Sequence, residues 1–168
     1  MFYRRNWIPV IVVILGVAMF VPVAQAQRQE CSGITCVAAT YNRVHRSEDS
    51  SIIVSSGDEK GIIRSTHESK LFDNWTVHTI LVIWLLDGKA RWNGFWKQMA
   101  PDGEFIMGEF YGDSESGTTT TAKLLYGTGK WKGIKGEFKF KRITAGRPIV
   151  ESTGQFCNSW EAWIELPK

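Results

Sequence analysis

Trp75-Thr76-Val77-His78-Thr79-Ile80-Leu81-Val82-Ile83-Trp84-Leu85-Leu86, followed by Asp87-Gly88 and then by Ala90-Arg91-Trp92-Asn93-Gly94-Phe95-Trp96-Lys97-Gln98-Met99, is the stretch that decides the fold. Its β-branched and aromatic residues recur with period two, and an Asp-Gly pair between two such runs is the mark of a type I′ hairpin. Val77, Leu81, Ile83 and Leu85 oppose Ile80, Val82 and Trp84, so both faces of the first run are apolar. Outward from this hairpin the same period predicts strands at Val37 to Val44, Ser51 to Ser55, Gly61 to Ser65, Glu104 to Tyr111, Thr118 to Tyr126, Glu137 to Ile143 and Gly154 to Leu166. Pro101-Asp102-Gly103 and the polar Asp113 to Gly117 supply further turns. Nothing reads as a long amphipathic helix. A chain of many short antiparallel strands must hide its edges, which predicts an all-β protein: a closed or nearly closed antiparallel β-barrel of about eight strands, with a sandwich as the alternative. Glycines inside strands, Gly94 and Gly108, suit a tightly coiled sheet.

The most distinctive segment is Tyr126-Gly127-Thr128-Gly129-Lys130-Trp131-Lys132-Gly133-Ile134-Lys135-Gly136-Glu137-Phe138. It resembles the glycine-rich turn segment of barrels of the allene oxide cyclase and dirigent type and of related exported bacterial proteins. Asp87-Gly88, Pro101-Asp102-Gly103 and a last strand closing on Trp160, Trp163 and Leu166 accompany it, so the resemblance covers residues 75–166. Without any family, the glycines allow close strand approach, Trp131 and Ile134 plug the barrel, and the lysines face water. The phosphate-loop pattern is absent, because the spacer between the glycines and the Ser or Thr after Lys130 are missing. The resemblance implies the barrel and a tendency to form a homo-oligomer; none of the family's catalytic positions matches a residue here, so no activity comes with it.

Residues 1–26 read as a secretory leader: Arg4 and Arg5, an apolar run from Ile8 to Val23, then Ala24-Gln25-Ala26. A retained membrane anchor is the competing reading, since the run approaches the ~18 residues that span a bilayer. Cleavage leaves residues 27–168 as a single barrel domain, periplasmic or secreted, with no stable membrane insertion. Loss of the two arginines takes the balance from 20 basic against 17 acidic residues to 18 against 17. A nearly neutral chain is a poor partner for nucleic acid. The basic cluster Lys130, Lys132, Lys135, Lys139, Lys141 and Arg142 alternates with Trp131, Phe138 and Phe140, as the wet face of a strand does. Three cysteines remain in an oxidising setting, where two are expected to pair. Cys31 with Cys36 would close a local loop, and Cys36 with Cys157 would tie the first strand to the last; spacing does not choose between them. No cysteine or histidine pair has metal-ligand spacing, and no cofactor motif is present.

Four residues are candidates for a ligand site. His78 shares its strand face with Ile80, Val82 and Trp84, and Glu109 shares one with Phe105, Met107 and Tyr111. If both point inward, the lumen brings a proton acceptor and an orienting partner together; the plainer reading of each is a hydrogen-bonded core residue. Trp92 and Trp96 flank Gly94 on one face, leaving a hollow between two indoles, which is the material of an apolar pocket wall or simply of a core. No nucleophile elbow or paired-carboxylate motif supports hydrolysis. Three functions follow: an exported barrel that binds a small apolar or aromatic ligand without catalysis, a structural or interaction barrel that presents its loops, and a cyclase- or isomerase-like enzyme working by proton transfer.

Overall fold

A computed structural model describes residues 27–115, 117 and 119–166; the expected leader at 1–26 and part of the turn after Asp113 lie outside the described residues. Eight antiparallel strands close into a barrel in simple sequence order. They are β1 (Arg28–Arg46), β2 (Ile52–Ser65), β3 (Trp75–Leu86), β4 (Lys89–Met99), β5 (Phe105–Asp113), β6 (Thr119–Gly127), β7 (Lys135–Gly146) and β8 (Thr153–Glu165). The described residues hold no helix beyond the single 3₁₀ turn Gly129–Trp131. Asp87 (φ 48°) and Gly88 (φ 78°) both adopt the left-handed region, as the I′ hairpin demands. Gly103 N–H donates to Ala100 O at 3.0 Å, closing the turn that Pro101 begins.

Two expected strands merge. Ser51 to Ser55 and Gly61 to Ser65 belong to one strand, β2, and Gly57-Asp58-Glu59-Lys60 continues it rather than turning. Gly57 is there because a Cβ would stand 2.6 Å from Leu81 Cδ2. The first strand also begins at Arg28, ahead of the expected Val37, and pairs with β8 along Arg28–Thr40.

The barrel has a solid end and a hollow one. At the solid end, where β2 joins β3 and β6 joins β7, Phe72 and Trp131 enter from the connections as a plug. Phe72 lies with its ring centroid 5.0 Å from Trp75, 5.7 Å from Trp131 and 5.6 Å from Phe138. Ile134 is buried beside them, while Lys130, Lys132 and Lys135 are exposed. The connections β1–β2, β3–β4, β5–β6 and β7–β8 all fall at the other end.

Cys36 and Cys157 face each other across β1 and β8 and form a disulfide. Cys31 stands five residues from Cys36, ~17 Å along an extended strand and on the opposite face, beyond the reach of a disulfide. It is buried and free, and burial, with Glu30 adding to it, pushes its thiol up to about 12.

Candidate ligand site in the barrel lumen

The inward residues of each strand are fixed by its alternation. In β4 they are Ala90, Trp92, Trp96 and Gln98; in β3 they are Trp75, Val77, Thr79, Leu81 and Ile83. Above the plug these side chains leave a cavity of ≈ 320 Å³. Trp92, Trp96, Phe110, Phe140 and Phe156 wall it, with Val37, Val77, Leu81 and Ile83 between them. Its deep residues are buried, whereas Trp92, Ala90 and Phe140 are partly exposed and Arg142 is exposed, so the cavity opens at the hairpin end.

The indoles stay against the wall because each lies over a glycine of the next strand. Trp92 faces Gly112 and Trp96 faces Gly108 in register. A Cβ on Gly112 would come 2.5 Å from Trp92 Nε1, and one on Gly108 would come 2.5 Å from Trp96 Cζ2. Trp92 Nε1–H donates to Thr120 Oγ1 at 2.9 Å, which fixes the ring near the mouth. The expected hollow between Trp92 and Trp96 is therefore part of the lumen, although Gly94 itself serves a close approach to the backbone of Ile80.

Two expected residues lie elsewhere. His78 points outward, where its Nε2 is 2.9 Å from Asp58 Oδ2. The His78 hydrogen bond first, then Lys60, whose Nζ is 3.0 Å from Asp58 Oδ1, holds the Asp58 carboxyl below its ordinary range. Glu109 is exposed on the outer face of β5. The sequence leaves their direction open, because their strands carry large apolar residues on both faces. The outer face is apolar too, with Ile80 59% and Phe95 58% exposed, so alternation alone does not say which side is the lumen.

The charged groups of the lumen are Glu59 and Arg142. Burial raises the Glu59 carboxyl from its ordinary 4.5 to about 7, against the smaller opposing pull of Arg142 and a hydrogen bond from Tyr41. Burial, and then Glu59 itself, pushes Tyr41 up to about 12, so its hydroxyl keeps its proton. Arg142 also lies over the Phe156 ring, 3.9 Å from its centroid. Glu59 falls between the two strands expected at Ser51 to Ser55 and Gly61 to Ser65, so the sequence does not single it out. The sequence reading placed Arg142 with the wet lysines, although Arg142 shares the alternation of Phe138 and Phe140, which was the signal available. Among the described residues no cluster of His, Cys, Asp and Glu could hold a metal ion.

A closed eight-stranded barrel in sequence order, plugged at one end and hollow at the other, has the fold of the dirigent-type barrels. Among solved structures the chain is similar to the pterocarpan synthase dirigent protein PsPTS1, at a TM-score of 0.53 and 9% identity over 84% of this chain and 97% of that one. It is also similar to the pterocarpan synthase dirigent protein GePTS1, at 0.47 and 8% over 84% of this chain and 86% of that one. No protein-family model and no curated protein sequence matches the chain.

Proposed function

We propose that the chain is an exported barrel whose lumen binds a small apolar or aromatic molecule without acting on it. The observation that carries this reading is the ≈ 320 Å³ cavity walled by Trp92, Trp96, Phe110, Phe140 and Phe156. Small-molecule sites are concave, mainly aromatic and aliphatic, and roughly 300–1,000 Å³ in volume. A barrel serving only as a scaffold for its loops has no use for an unfilled upper half. A periplasmic or secreted setting accords with the leader-like residues 1–26 and with the Cys36–Cys157 disulfide, a bond that lasts outside reducing compartments. Identity of 9% to a pterocarpan synthase brings the barrel and leaves the reaction behind. The test is a titration of the chain from Gln27 with a panel of small aromatic compounds while tryptophan emission is recorded. Saturable quenching or a blue shift is expected, since Trp92 and Trp96 line the cavity; a lumen silent to every compound overturns the reading.

One observation favours a second reading, an isomerase- or cyclase-type enzyme. A carboxyl that is half-protonated near pH 7, as Glu59 is, suits a general acid or base. This reading expects product formation that Glu59→Gln abolishes while ligand binding persists, and turnover that survives the substitution sinks it.

A further inference from the structure

Two sets of polar groups stand at different levels of the lumen, and they differ in what they already touch. At the upper level Glu59 has Tyr41 and Arg142 for company. Nearer the plug stand Gln98, Trp96 and Thr35. Gln98 pairs in register with Val77, two residues nearer the solid end than Thr79, the partner of Glu59, which is about 7 Å along the strand. Thr35 lies four residues, about 13 Å, below Ala39, the other partner of Glu59.

Gln98 is only 2% exposed, and its Oε1 has no hydrogen-bond partner among the described residues; the same holds for Trp96 Nε1 and Thr35 Oγ1. Trp131 and Trp160 carry equally unpaired indole N–H groups, but those residues are packed into the core and do not line the cavity. Gln98, Trp96 and Thr35 differ in that each borders the cavity. A buried carbonyl oxygen without a donor is costly, and a ligand that brings the donor removes the cost. All charged residues of the cavity wall lie at the upper level, so a carboxylate or ammonium driven to the floor would meet no counter-charge.

We infer that Gln98, Trp96 and Thr35 form a head-group subsite at the blind end of the lumen. It selects molecules that enter with an uncharged group able to donate and accept at once, a carboxamide or an alcohol, ahead of an apolar body. The head donates to Gln98 Oε1 and accepts from the Trp96 indole N–H or the Thr35 hydroxyl. The body lies along Val77, Leu81 and Phe110, and its far end comes beside Glu59. This inference rests on the lumen being a ligand site.

The experiment uses four probes with one two-ring body: naphthalene-2-carboxamide, 2-naphthol, 2-methylnaphthalene and naphthalene-2-carboxylate. Binding to the chain from Gln27 is measured by calorimetry. The carboxamide and the alcohol are expected to bind about tenfold or more tighter than the methyl compound, with the carboxylate weakest. Gln98→Leu should erase that preference while leaving 2-methylnaphthalene as tight as before or tighter. Trp96→Phe, which keeps a ring and loses the N–H, should reduce it in the same direction and stands in if Gln98→Leu does not fold. Equal affinity for methyl and carboxamide probes, or a preference untouched by both variants, overturns the subsite and leaves lumen binding standing. Failure of all four probes to bind overturns both.

Discussion

The carboxyl of Glu59 is buried where ionisation is expensive, and that expense belongs to the folded state alone. Below about pH 4.5 the group is protonated whether the chain is folded or not. Between pH 4.5 and about 7 the unfolded chain ionises first, so the folded state loses relative stability as pH rises through that window. Each pH unit is worth ~1.4 kcal/mol, so the whole loss is about 3 kcal/mol. Thermal melts of Glu59→Gln should match the parent chain at pH 4 and lie clearly above it at pH 8. Parallel melting profiles across that range would show that the carboxyl is not desolvated. The neighbouring Tyr41, with its acidity suppressed by burial, stays a hydrogen-bond donor throughout the range.

Among the elements, β3 was legible to the residue because its apolar run ends on an Asp-Gly pair that leaves no choice of boundary. β2 was not, and its misreading hid the lumen's acid. The stretch Ser56 to Lys60 lacks the apolar alternation of its flanks, so it interrupts the expected strand, whereas in β2 Gly57 marks a place where Leu81 leans across from the next strand. Side-chain direction suffered in the same way. In a barrel whose outer surface carries Ile62, Ile80, Phe95 and Tyr111, polarity does not separate inside from outside, so the sequence alone does not say on which side His78 and Glu109 lie. Trp92 and Trp96 were placed correctly relative to each other because two indoles four residues apart on a strand share a face whichever way it points. The glycines beneath them offer a direct check on how the wall is built. Gly108→Ala sets a Cβ against both Trp96 and the carbonyl of Lys123, which leaves little room for relief. Chemical denaturation should report a loss of about 1–3 kcal/mol, as for other overpacked sites. A neutral result would mean that Trp96 is free to swing into the lumen.

At the scale of the whole molecule, the feature that the sequence could not decide is the closure. The three cysteines allowed more than one pairing, and only the register of β1 against β8 sets Cys36 opposite Cys157. The bond spans 121 residues of chain, so it restricts the unfolded ensemble strongly. Replacing both cysteines by serine should lower stability by roughly 2–5 kcal/mol in denaturant titrations, and a reductant should lower the parent chain by a similar amount while leaving the double variant unmoved. A parent chain indifferent to reductant would contradict the pairing. β1 holds hydrogen bonds to β2 on one side and to β8 on the other, so a copy that ends before Thr153 has no cylinder at all. It is an open sheet with two raw flanks, β1 and β7, each ready to stitch onto a strand of another copy. Synthesis interrupted ahead of β8 would thus yield a seed for clumping in place of a self-contained particle, and the thirteen residues of β8 act as the seal on the cylinder.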